Sequence, residues 1–108
     1  MDAASPLLAE IRSEIKLLRQ QINKNFDKEM RRLAKDNILG DTHEAFYNER
    51  RVLTVLASHK RSVAGNIVGS SKTGSLVYVE PQINVELNNE LELQIDEERK
   101  EIYRILKV

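Results

Sequence analysis

The chain has 108 residues, enough for one compact module and little room for an enzyme with separate substrate and cofactor sites. Apolar residues make up 41% and charged residues 31%, with five aromatics and two prolines, a composition that suits a helix-rich chain with a Leu, Ile and Val core better than a sandwich or a disordered segment. The formal net charge is zero, and the lack of cysteine excludes disulfides and cysteine-based metal or redox sites. No basic segment followed by an apolar stretch opens the chain, and no apolar run approaches membrane-crossing length, so a cytoplasmic protein outside the membrane is expected.

In chain order, Ser5 and Pro6 read as N-cap and first residue of a helix, where proline's missing N–H costs nothing. Leu8, Ile11, Ile15, Leu18, Ile22, Phe26, Met30 and Leu33 then recur at spacings of three and four, which predicts one long helix to about residue 35 with a single buried stripe. Three β-rich runs follow, at residues 51–57, 63–68 and 75–79, with a short fourth strand possible at 43–47. Polar interruptions at 58–62 and 70–74 separate them as turns, and Gly74 is free to take positive φ. Glu80 and Pro81 end the last strand and open a return helix, in which Leu87, Leu91, Ile95, Ile102 and Leu106 are the expected apolar stripe. The fold class that results is α+β, two long antiparallel coiled-coil-like helices joined by a small antiparallel sheet of three or four strands. Its three successive stretches are residues 1–36, 37–81 and 82–108, forming one structural module.

Catalytic chemistry is not written in these residues. Gly69 and Gly74 have the glycine spacing of a phosphate-binding loop, but Ser75 follows where a Walker loop needs lysine, and the next run is β-like, where such a loop must open a helix. His43 and His59 have no His or Cys companions at metal-ligand spacing. The carboxylates around Asp96 alternate with Arg and Lys, as on a solvated helix face, and no serine has the context of an activated nucleophile. Charge, however, is unevenly spread. Residues 50–79 hold five basic groups and no acidic one, whereas residues 80–108 hold four basic and eight acidic. Arg50, Arg51, Lys60, Arg61 and Lys72 lie in or beside turns among Ser, Thr and Asn donors, a pattern that fits contact with a nucleic-acid backbone. The scarcity of aromatics argues against a base-stacking platform.

The segment from residue 63 to residue 91 resembles the second-type branch of the bacterial MutS family. The resemblance rests on Gly65, Ile67, Ser71, Gly74, Leu76, Glu80 and Pro81, and above all on that Glu-Pro pair followed by Val85, Glu86, Leu87, Asn88, Asn89, Glu90 and Leu91. Upstream, residues 47–55 keep Arg51 but lack the glycine, aromatic and proline usual in the family before this segment. Membership implies a homodimeric parent whose lever helices join an ABC-type ATPase, with ATP and Mg, to clamps that close on branched or duplex DNA. It also implies a role in suppressing recombination, in many members a C-terminal Smr endonuclease domain, and for some an association with ribosomes. For this chain the implied part is lever and clamp, with Arg50, Arg51, Lys60, Arg61 and Lys72 as phosphate contacts and no catalytic, metal or cofactor residue. The alternative reading is a structural or chaperone-like hairpin resembling prefoldin subunits, which also run helix, β-hairpins, helix; that reading needs exposed apolar residues at the free helix ends.

Overall fold

The computed structural model describes residues 5–107. Its elements are α1 (Pro6–Lys35), β1 (Leu39–Tyr47), β2 (Arg50–Leu56), a 3-10 helix (Ala57–Ser62), β3 (Gly65–Ser70), β4 (Leu76–Pro81) and α2 (Gln82–Leu106). This is an α+β chain with a four-stranded antiparallel sheet. Contacts gather it into two compact units, one made of α1 up to Ile22 with α2 from Glu86, the other spanning Asn23–Val85. The division falls inside both helices.

In the first unit, Ser5 caps α1 as expected: its hydroxyl accepts the Leu8 N–H at 3.0 Å. The stripe Leu8, Ile11, Ile15, Leu18 and Ile22 is buried at every position. The helices run antiparallel here, since Ser5 bonds to Glu101 while Arg12 bonds to Glu98. The expected stripe of α2 needs correction. Leu87, Leu91, Ile95 and Ile102 are only half-buried and Leu106 is 78% exposed, whereas Asn88 and Glu101 are buried. Glu101 tolerates burial because its carboxylate is supplied with donors: the Ser5 hydroxyl at 2.5 Å and two Arg104 guanidinium N–H groups at 2.7 and 2.8 Å. Arg104 first, and Ser5 after it, hold that carboxyl down at about 2. Apolar periodicity misses such a position because the letter Glu carries no record of its partners.

In the second unit, Phe26 and Leu33 of α1 pack against Leu53, Val55, Val77 and Val79 of the sheet, with Ile38, Leu39 and Val63 completing one core. Helix α1 stops where Asn37 takes a φ of 55°. The Asn37 N–H then donates to the Ala34 carbonyl and the Ile38 N–H to the Leu33 carbonyl, a Schellman ending sealed by the burial of Leu33 and Ile38. The sheet order is β1-β2-β4-β3, so β4 lies between β2 and β3 and pairs antiparallel with both. Strands β2 and β3 are therefore mutually parallel, and residues 58–62 are not a hairpin turn between them. They belong to a 3-10 helix in a crossover that carries buried Val63 into the core. The fourth strand is real and longer than its sequence suggests, because Gly40, Asp41, Thr42 and His43 bulge opposite the single Thr54. The Thr54 hydroxyl donates to the Thr42 carbonyl and fastens that bulge to β2.

Central β2 is buried on both faces: Val52, Leu53, Thr54 and Val55 are all at or below 3% exposure. Leu53 and Val55 face α1 and the core; Val52 and Thr54 share the other face with Tyr78. There the Tyr47 ring reaches Gly69, where an added Cβ would sit 3.1 Å from it. At Gly65 an added Cβ would collide with the Glu80 carbonyl, so glycine is required there by close strand approach.

Candidate nucleic-acid interface

The five cations singled out by sequence do not gather at one place. Arg50 and Arg51 open β2, pairing with Tyr47 and Phe46 of β1. Lys60 and Arg61 lie past the other end of β2, in the 3-10 helix, and Lys72 lies in the β3–β4 turn.

The two arginines of β2 are engaged inside the fold. The Arg50 guanidinium donates to Glu80 at 2.7 Å, with both side chains largely buried. Arg51, alternating to the core face, stacks 4.1 Å from the centroid of the Phe26 ring. It also donates to Asn23 at 3.0 Å, to Asp27 at 3.1 Å and to Glu44. Arg51 thereby ties α1 to β1 through β2. A fork of fixed donors on a planar cation suits that task, and lysine could not both stack and reach three acceptors.

Lys60, Arg61 and Lys72 have the opposite surroundings. All three are exposed and make no ion pair among the described residues. No acidic residue lies between positions 50 and 79, and the more distant carboxylates that reach Arg50 and Arg51 do not pair with these three among the described residues. Their elements meet where the Ala57 N–H, at the start of the 3-10 helix, donates to the Ser75 carbonyl at 2.9 Å. Ser75 closes the turn that carries Lys72, and the turn is tight. The Gly74 N–H donates to the Ser71 carbonyl at 3.0 Å, with a φ of 76° at Gly74 that favours glycine. The Leu76 N–H donates to the Ser71 hydroxyl at 3.1 Å. Exposed Ser58, His59, Ser62, Thr73 and Ser75 supply further donors beside the cations. The turn runs on into β4 and not into a helix, so it has no helix N-terminus to receive a nucleotide phosphate.

The arrangement fits a polyanion: cations held by backbone elements, already stripped of internal partners, among neutral hydroxyl donors. No group of three His, Cys, Asp or Glu residues that could hold a metal ion occurs among the described residues. No helix of the described chain is long and apolar enough to cross a membrane. Sequence reasoning could not distinguish the engaged cations from the free ones, since the carboxylates that claim Arg50 and Arg51 lie 7 to 30 positions away.

No family model matches the chain. Curated relatives do. It is 31% identical over 108 residues to the endonuclease MutS2 of Bacillus velezensis, a match covering 100% of this chain and 14% of that protein. It is 41% identical over 104 residues to the endonuclease MutS2 of Thermotoga neapolitana, covering 96% of this chain and 14% of the relative. It is 32% identical over 106 residues to the endonuclease MutS2 of Aquifex aeolicus, covering 98% of this chain and again 14% of the relative. The chain thus spans 14% of the length of these relatives.

Proposed function

Because the chain belongs, as a segment, to the MutS2 family, we propose that it is the lever and clamp part of a MutS-like protein acting on DNA. The clamp grips the phosphate backbone without reading sequence, through Lys60, Arg61 and Lys72. Arg50 and Arg51 serve that grip by holding β1, β2 and α1 together, and a direct phosphate contact from either one requires giving up its carboxylate. The observation that carries the reading is the isolation of those three exposed cations from any acidic partner among the described residues. The two helices are the mechanical link to the rest of the protein. ATP hydrolysis with Mg, strand cleavage and homodimer formation belong to the remaining length of the longer relatives, and branched recombination intermediates are the natural substrates of such an assembly.

The chaperone-like alternative draws support from one observation, exposed Leu7, Tyr103 and Leu106. They stand on helices interspersed with charge, and the proposal does not need them. The test is fluorescence anisotropy of a labelled duplex titrated with the 108-residue chain at several salt concentrations. Three phosphate contacts give a log-log salt slope of about −2.7. The triple variant Lys60→Ala, Arg61→Ala, Lys72→Ala is expected to lose most of the binding and the slope with it. Unchanged binding by that variant would sink the proposal.

A further inference from the structure

The face of the sheet turned away from Phe26 and the core carries an open cleft of ≈730 Å³, inside the roughly 300–1,000 Å³ usual for small-ligand sites. Leu56, Leu76 and Tyr78 line it with apolar and aromatic surface. On its β1 side stands the bulge, with Asp41 exposed and making no hydrogen bond or ion pair among the described residues. On its β4 side stands Ser75, the residue that closes the turn carrying Lys72 and receives the N–H that opens the 3-10 helix of Lys60 and Arg61. The cleft is therefore electrically polarised, with free cations beyond one rim and a free carboxylate on the other.

We propose that this cleft takes an unpaired nucleobase from a DNA strand whose phosphates lie on Lys72 and the neighbouring 3-10 helix. The inference rests on the backbone contact proposed above and adds a preference for a class of DNA. A phosphate belongs at the cationic rim and is repelled from the interior by Asp41. A base offers what the interior lacks: two apolar faces for Leu56, Leu76 and Tyr78, and, in adenine, cytosine or guanine, an exocyclic amine that donates to a carboxylate. Thymine has no such amine. A base paired within a duplex cannot enter, so the site selects bulges, strand ends and branch points, where unstacking costs least.

The experiment compares the intact chain on a continuous duplex with the same duplex carrying one extra unpaired adenine, read by anisotropy. A 2-aminopurine at the extra position gives a fluorescence change on entry. The bulged duplex is expected to bind about tenfold tighter, and an extra thymine to recover only part of that gain. Asp41→Ala, at an exposed side chain, removes the preference for adenine over thymine; Tyr78→Leu, with folding followed by circular dichroism, removes the preference for the bulge. Tyr78→Leu leaves continuous-duplex affinity unchanged, whereas Asp41→Ala, which removes a repelling charge, raises the affinity for both duplexes alike. Equal affinity for the two duplexes, or a preference that survives both variants, overturns the proposal. Failure of the backbone reading shows separately, as continuous-duplex affinity indifferent to loss of Lys60, Arg61 and Lys72, because the base preference is a ratio between two duplexes.

Discussion

The two ends of β2 use the same kind of residue for different work. At its start, Arg50 and Arg51 are drawn into the fold by Glu80, Asp27 and Glu44, and Arg51 adds a ring to stack on. Beyond its finish, Lys60, Arg61 and Lys72 find no acid among the described residues and remain in water. The difference teaches that local charge density does not mark a binding surface. What marks it is charge that the fold has not already neutralised, because a desolvated and paired guanidinium gains little from a phosphate unless it first surrenders its partners.

The largest break in that comparison comes from Arg51→Ala. Losing its stack on Phe26 and its bonds to α1 and β1 together lowers stability by about 3 kcal/mol, read as a fall in the urea midpoint. Its effect on DNA affinity, measured where the variant is still folded, is expected to be small. A stable Arg51→Ala chain that no longer binds DNA would put Arg51 among the free cations.

Acid should separate the helical unit from the sheet. Glu101 has its folded pKa depressed to about 2 by Arg104 and Ser5. A depressed carboxyl contributes stability that is fully present above its unfolded value, near 4.5, and is lost as pH falls toward 2. Denaturation followed between those values should therefore show a loss of stability in the native chain that Glu101→Gln largely lacks; parallel curves would count against the Ser5–Glu101–Arg104 cluster.

The β1–β2 turn provides a gain in place of a loss. Asn48 and Glu49 have φ of 49° and 68°, the pair of left-handed conformations that suits a two-residue hairpin turn. Asparagine tolerates this, while glutamate is strained, so Glu49→Gly is expected to stabilise by about 0.5 kcal/mol, visible as a higher melting temperature. Smallest of all is the stability change on replacing Lys60, Arg61 and Lys72 by alanine. Each exposed substitution should stay within about 0.5 kcal/mol, while DNA binding falls. A large stability loss there would mean those cations are engaged after all.

Much of the chain was legible from its letters. The stripe from Leu8 to Leu33 marked one face of α1 because an apolar residue every three or four positions has no other low-energy use, and Ser5 with Pro6 marked where the helix starts. Gly74 and its polar neighbours marked a turn, which formed. The 58–62 interruption misled because polarity says that a segment is wet, not whether it turns back or crosses over. Only the insertion of β4 between β2 and β3 makes it a crossover. In α2 the apolar letters marked most of the less exposed face but not its most buried positions, since Asn88 and Glu101 are buried and Glu101 is held by hydrogen bonds that hydropathy does not count.

By itself the sequence determined the two helices and the β-rich stretch between them, the main face of α1, the absence of cysteine chemistry and the acid-free stretch from residue 50 to residue 79. Those are properties of neighbours along the chain, governed by periodicity, covalent geometry and local charge. The tertiary structure alone decided which arginines were spent on internal carboxylates, where the bulge of β1 opened a cleft, and which cations stayed free. Those depend on groups far apart in sequence meeting within a few ångströms, and pairing energy at that range is a matter of position that no single stretch of sequence carries.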